Sequence, residues 1–402
     1  MTRTDPDSCP GVLRLHEAAD GPLARIRVPG GRLAPAQVQA LAEAARELAD
    51  GGIELTSRAN AQLRGVRDAA ELERRLRAAG LLPSGTHERI RNIVASPLSG
   101  RVGGWTDVHA LVPALDAGLQ AAPRLAELPG RVLFTLDDGR GDVSGLGADI
   151  GVHAVDEDTY AVVLAGRDSG LRVTAEHAVD TVLHAAHDFL ELREDQWRLH
   201  EIPDGPAALA DRLRAAHPHL TTAKTVELPP HQEPPIGWLT QSDDRVALGA
   251  GVRLGSLPAR TAEFIAAVDR PVVITPWRGL VITDLDEWAA EQVVRVLAPM
   301  GLIFDAASPW LQVTACAGQP GCAKSRTDVR ADAAAAVESG RVLPSGPPQP
   351  AADELAADEV VATGRQHWSG CDRRCGRPRG PATEVTATPT GYRVVPPAAT
   401  AS

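Results

Sequence analysis

IGWLTQSDDRVALGA at 236–250, TAEFIAAVD at 261–269, VVITPWRGLVITDL at 272–285 and DLDEWAAEQVVRVLAPM at 284–300 read in order as two strands, a helix, two strands and a helix. Apolar residues alternate along the strands and recur three and four apart along the helices. The same order stands earlier in the chain. VLRLHEAADGPLARIRV at 12–28 gives two strands around a turn at Asp20-Gly21. A helix follows, with Pro35 in its first turn, Val38, Leu41, Ala45 and Leu48 on one face, and Gly51-Gly52 at its end. Strands at 53–55 and 62–66 come next, and Asp68 opens a second helix that ends at Gly80. The stretch 284–300 stands where 68–79 stood, and Gly301-Leu302-Ile303 repeats Gly80-Leu81-Leu82. Residues of about 10–82 and 236–303 are therefore two copies of one ββαββα unit.

The echo runs past the repeated unit. NIVASPLSG at 92–100 lies over QVTACAGQPG at 312–321, which sets Ser96 opposite Cys316. Residues 131–175 alternate like strands joined by Gly-rich turns, and 175–201 carry the spacing of a long helix at Val179, Val182, Ala186, Phe189 and Leu190. The stretch 341–358, around SGPPQPAAD, reads as a linker or flexible loop, and residues from about 380 onward as a disordered tail.

At 402 residues, 44% of them hydrophobic, the chain supports two or three packed domains, which excludes a disordered or fibrous protein. A net charge of −11 supplies no global field for nucleic acid or an anionic membrane. No apolar run approaches the ~18 residues of a spanning helix, and the start MTRTDPDS lacks the apolar core of a signal peptide, so the expected location is cytoplasmic. Lysine occurs only at 224 and 324; the remaining cations are arginines, the side chain suited to bidentate carboxylate binding.

The chemistry points to the cysteines. Five are present, too few and too late in the chain for a disulfide framework. Cys9 stands apart and reads as structural. Cys316 and Cys322 form one close pair, Cys371 and Cys375 another, each in a Gly-rich loop that can wrap a face of an inorganic cluster. An iron–sulfur cluster is the expected occupant. Zinc, which favours closer ligand spacing, and buried free thiols are the alternatives.

The pattern C-x5-C and C-x3-C, with HWSG before Cys371 and Gly-Arg-Pro after Cys375, resembles the cluster signature of the sulfite and nitrite reductase family. The resemblance spans residues 8–380 and implies an α+β fold. It has two ferredoxin-like half-domains from an internal duplication and two sulfite/nitrite-reductase-type α/β domains, related by a pseudo-two-fold. The implied boundaries are 8–82 and 231–303 for the half-domains, 83–230 for a reductase-type domain without cluster cysteines, 304–380 for the one carrying a [4Fe-4S] cluster, and 381–402 for a flexible tail. In the family the thiolate at the position of Cys375 bridges cluster and sirohaem iron. Arg58, in LTSRANAQLRG, matches the family's T-T-R-Q arginine, and Arg91, in RIRNIVASP, its R-N-V arginine. Arg131 stands at the first lysine of a K-x-K pair and Leu133 at the second. The resemblance thus implies catalytic roles for Arg58, Arg91 and Arg131, while Leu133 removes a cation that reduction of an oxyanion calls for.

LDDGRGDVSGLGADIG, SCPGVLRL and ITPWRGL resemble one compact, oxygen-dependent branch of this superfamily that serves aerobic cobalamin synthesis. That resemblance implies oxygenation of the tetrapyrrole precorrin-3A, with C20 hydroxylation and closure of a γ-lactone. It also implies an electron donor, either NADH through a reductase or a ferredoxin, and a further iron centre, mononuclear non-haem iron or, in a reductase, sirohaem. A polycarboxylate macrocycle suits the arginines: Arg58, Asn60, Gln62 and Arg64 alternate along one strand, and Arg278 lies at the equivalent strand of the second copy. These five are the expected substrate-binding residues.

Four smaller signals complete the reading. Gly-rich 139–151 lacks the strand–turn–helix context of a nucleotide loop. His184, His187, Asp188 and Glu191 have the helical spacing of an iron-ligand set, or of a solvated face. His367 reads as a structural or hydrogen-bonding neighbour of the cluster. Lys324, close to Cys322, is placed to offset thiolate charge.

Overall fold

The computed structural model describes residues 7, 9–229, 233–344, 346 and 350–397. In the first copy the elements are strands His16–Ala18 and Gly21–Ile26, helix Pro35–Leu48, strands Gly52–Leu55 and Ala61–Leu63, and helix Ala69–Ala78. The second copy repeats them as Gly237–Thr240, Val246–Val252, helix Ala259–Ala267, Val272–Ile274, Leu280–Leu285 and helix Glu287–Leu297. Asp68 and Asp286 cap the two closing helices, their carboxylates accepting the amide hydrogens of Glu71 at 2.9 Å and Ala289 at 2.8 Å. The closing helix of the second copy therefore starts later than 284. Asp284 belongs to the preceding strand, and its carboxylate pairs with Arg101 at 2.7 Å.

The two copies exchange strands. The first sheet runs 16–18, 21–26, 61–63, 52–55 and is completed by Ser256–Pro258 of the second copy. The second sheet runs 237–240, 246–252, 280–285, 272–274 and is completed by Arg32–Leu33 of the first. Both additions are antiparallel, with Leu257 opposite Ile53 and Leu33 opposite Val272, and each covers a sheet edge that would otherwise present unpaired amides and carbonyls. Each donated strand leads directly into a helix, Pro35–Leu48 or Ala259–Ala267, and these two helices pack on each other. Leu41, Ala42, Ala45, Ala262 and Ile265 are all buried there in one core continuous through both copies. Alanines let the helices approach closely, while each buried Leu or Ile contributes about 2 kcal/mol by leaving water.

Two further sheets share one order, and a third is only the two-stranded pair Val342–Leu343 and Ala362–Thr363. In the first, Ile93–Ala95, Phe134–Asp137 and Ile150–Ala154 are parallel, and Thr159–Leu164 returns antiparallel. In the second, Val313–Ala315, Gln366–Ser369 and Thr383–Ala387 are parallel, and Tyr392–Val395 returns antiparallel. The segment from 381, expected as a flexible tail, thus supplies two strands of the second sheet, with Val385, Ala387, Tyr392 and Val394 buried; residues 398–402 lie outside the described ones. The expected linker at 341–358 supplies strands Val342–Leu343 and Ala352–Leu355, with 345 and 347–349 outside the described residues. The long helix ends at Leu192 rather than 201, where Arg193 turns extended, and Arg198 beyond it holds Asp149 at 2.7 Å. Among the described residues no helix is long and apolar enough to cross a membrane.

Candidate active site

Each sheet of this second pair ends in loops that face a shared cavity, and the loops correspond atom by atom at their root. The amide of Cys316 donates to the Trp368 carbonyl at 3.0 Å, and that of Ser96 to the Leu136 carbonyl at 3.1 Å. The amide of Gly370 donates to Cys316 Sγ at 3.3 Å, and that of Asp138 to Ser96 Oγ at 3.1 Å. The overlay of Ser96 on Cys316 is thus a structural equivalence.

All four late cysteines gather on one side. Burial and then the thiols of Cys316, Cys371 and Cys322 push the Cys375 thiol above its ordinary value, so the four lie within electrostatic reach of one another. Four thiols on two Gly-rich loops are the donor set an iron–sulfur cluster takes, and an amide on a ligand sulfur, as at Cys316, stabilises the reduced state. Gly370 has no room for a side chain, since a Cβ there would lie 1.7 Å from Ser325 Oγ.

The cavity, of about 380 Å³, is lined by Arg58, Arg198, Arg278, Arg365, Arg377 and Arg379, with Asp142 and Glu233 as its only carboxylates among the described residues. Burial, then the Arg198 charge, brings Arg58 down to about 10, so it stays protonated at neutral pH; its guanidinium has no hydrogen-bond partner among the described residues. Arg278, at φ 59°, donates to the Gly376 carbonyl at 3.3 Å, beside Cys375. Arg379 donates to the Gly145 carbonyl at 2.8 Å and joins the two loops. Leu133 also lines the cavity, within an apolar cluster of Val94, Val143 and Ala148.

Only Arg58 and Arg278 of the expected residues reach this cavity. Arg91 is buried against Asp116 at 2.6 Å, which makes it a structural cation rather than a catalytic one. Arg131 is exposed, with its guanidinium 4.6 Å from the centre of the Trp197 ring. Asn60 donates to Asn92 Oδ1 and accepts from the Val28 amide. Gln62 bonds Arg25 and Glu54. Arg64 pairs with Asp20 at 2.7 Å and donates to the Gly321 carbonyl at 2.7 Å, inside the Cys316–Cys322 loop. A bridge from Glu54 to Arg330 at 2.6 Å, and from Arg330 to the Cys316 carbonyl at 3.2 Å, braces the same loop. The strand face expected to hold substrate instead holds the Cys316–Cys322 loop. The sequence reading missed Arg198, Arg365, Arg377 and Arg379; the signal for the last two was the Gly-Arg-Pro-Arg run after Cys375.

His367 is buried, with Nδ1 2.9 Å from Thr314 Oγ1, and burial pushes its pKa down to about 4, as suits a neutral neighbour of the cluster. Lys324 is exposed. Cys9 donates to the Gly130 carbonyl at 3.3 Å and accepts from Arg27 at 3.2 Å. His184 bonds its own helix at Asp180 and packs on His217, away from the cavity, so the 184–191 set does not converge on an ion among the described residues.

The fold and the arrangement of the site are similar to those of sulfite/nitrite-reductase-type oxidoreductases. Residues 16–79 match the family described as the nitrite/sulfite reductase ferredoxin-like half domain. The chain is 25% identical over 399 residues to precorrin-3B synthase of a Sinorhizobium species, covering 96% of this chain and 82% of that one. To ferredoxin–nitrite reductase of Synechococcus elongatus it is 35% identical over 128 residues, 29% of this chain and 25% of that one. The solved Mycobacterium tuberculosis NirA protein has the same fold, with a TM-score of 0.73 at 18% identity over 93% of this chain and 73% of that one. Together these show that the chain is similar to proteins of the sulfite/nitrite reductase superfamily over most of its length.

Proposed function

We propose that this chain is a precorrin-3B synthase: a cytoplasmic monooxygenase that converts precorrin-3A to precorrin-3B with O2 and a reductant, by C20 hydroxylation and γ-lactone formation. The observation that carries this reading is the cavity lining, in which six arginines face a space large enough for a ligand while Leu133 stands in an apolar cluster. Planar cations spread around a cavity suit a macrocycle bearing several carboxylates. Similarity to a precorrin-3B synthase over 96% of the chain supports the same choice.

Cys316, Cys322, Cys371 and Cys375 would hold a [4Fe-4S] cluster, which supplies single electrons when bound. Arg64 and Arg330 fix the loop that carries the first pair, through the carbonyls of Gly321 and Cys316. Arg58, Arg278 and Arg379 bind and orient carboxylates, and burial strengthens the contact made by Arg58. A two-histidine, one-carboxylate iron does not fit this lining, which contains no histidine among the described residues. A tetrapyrrole fits it.

The test is anaerobic purification with iron and sulfide analysis, extraction of any tetrapyrrole, and oxygen uptake with precorrin-3A and a reduced ferredoxin. About four irons per chain and substrate-dependent oxygen uptake are expected. Stoichiometric sirohaem with sulfite or nitrite turnover would replace this reading by an anion reductase.

A further inference from the structure

Inserting one atom of O2 as a hydroxyl and releasing the other as water consumes two electrons and two protons, so the cavity needs a proton source as well as an electron path. Its arginines hold their protons too tightly to serve. Glu233 and Asp142 are the acids on the wall.

Asp142 occupies a built position. The equivalence of residues 138 and 370 sets its loop over the loop of Cys371 and Cys375, so the place that binds sulfur chemistry in the second copy presents a carboxyl group in the first. Ser96 Oγ, at the position of Cys316, donates to Asp142 Oδ1 at 2.5 Å. Three carboxylates crowd here, with Asp137, Asp138 and Asp142 within 4.8 Å of one another. Asp137 is fully engaged: it accepts the amides of Gly139, Gly141, Val143 and Ser144 and lies 3.2 Å from His153 Nδ1. Asp138 holds Arg140 at 2.6 Å, leaving that guanidinium 3.8 Å from Asp142. Of the three, Asp142 is the one that also lines the cavity. Burial, followed by the Asp137 charge, pushes its carboxyl up to about 7, with Arg140 opposing and Asp138 adding.

We propose that Asp142 is the proton donor of the cavity: its carboxylic O–H gives the first of the two protons to the oxygen atom that leaves as water, solvent reprotonates the carboxylate so that it delivers the second, and a two-electron reductant supplies the electrons. This assignment rests on the oxygenase reading above.

Two measurements on Asp142→Asn and Asp142→Glu test it. The first is thermal stability against pH without substrate. A carboxyl raised from an ordinary value near 3.8 to about 7 costs the folded state increasingly as pH rises between those values. Asp142→Asn should therefore gain on the native chain across that range and keep its lead above it. The second is oxygen uptake with precorrin-3A. The native chain should lose turnover as pH rises through about 7; Asp142→Asn should keep its iron, sulfide and substrate affinity, lose roughly a hundredfold in turnover, and lack that alkaline fall. Asp142→Glu should recover that limb at a displaced pH. No stability gap would show that the carboxyl carries no proton, and a gap with unchanged turnover and pH profile would show that the proton is not used; either overturns the assignment. A native chain that takes up no oxygen with precorrin-3A removes the oxygenase reading and this assignment with it, whatever the stability gap shows.

Discussion

Arg64 Nη2 donates to the carbonyl oxygen of Gly321 at 2.7 Å, tying a strand of the first half-domain to the loop between Cys316 and Cys322. The same guanidinium is held by Asp20, and a Cβ on Gly321 would lie 2.7 Å from its Nη2, so the contact needs both residues as they are. The position of the Cys316–Cys322 loop is thereby set by a part of the chain some 250 residues away.

Arg64→Ala leaves Asp20 without its cation and the Gly321 carbonyl without its donor, while Glu54 keeps Arg330. The expected cost is about 3 kcal/mol of stability, with cluster loss on exposure to air faster than in the native chain. Thermal unfolding and the decay of visible absorption measure the two effects, and a variant with native cluster lifetime would remove the brace.

Arg58 and Arg91 separate under the same substitution. Arg58→Ala should weaken tetrapyrrole binding by about 2 kcal/mol, roughly thirtyfold, at unchanged melting temperature, because its guanidinium has only the cavity to serve. Arg91→Ala should leave affinity intact and lower the melting point, by stranding Asp116. Titration of a carboxylated porphyrin beside a thermal melt distinguishes them, and matched effects would contradict the placement.

Asp284 is held down to about 2, first by its hydrogen bond with Arg101. Its depressed value means that the pair contributes stability above the ordinary carboxylate range near 3.8 and loses it as pH falls toward 2. Asp284→Asn should therefore melt lower than the native chain at neutral pH, with the difference closing between those two values. A difference independent of pH would assign the effect to something other than charge.

Cys322→Ser should abolish the cluster absorption and substrate turnover together, while Cys9→Ser should retain both, since Cys9 sits against Gly130 and Arg27. Loss of the cluster in Cys9→Ser would bring the fifth thiol into the site.

The duplication and the thiols were legible because both are patterns of spacing. Alternation at 246–252, helical periodicity at 35–48 and two close cysteine pairs survive without any knowledge of partners. What a cation faces is not local. Arg91, Asn60, Gln62 and Arg64 sit in sequence where a binding face would be, yet each meets a partner from a distant segment: Asp116, Asn92, Arg25 and Gly321. The strands at 383–387 and 392–395 did carry a signal, the alternation of Val385, Ala387, Tyr392 and Val394 around a Pro-Thr-Gly turn, but Ala, Thr and Pro dominate that segment's composition. The acid at 142 was hidden by glycines that read as a turn.

The exchange of Ser256–Pro258 for Arg32–Leu33 makes each copy the completion of the other's sheet, so neither half can turn without its twin. Because both copies lie in one chain, their corresponding loops need not be identical: one carries Cys371 and Cys375 and the other Asp142, an asymmetry that no symmetric dimer of a single repeat can encode.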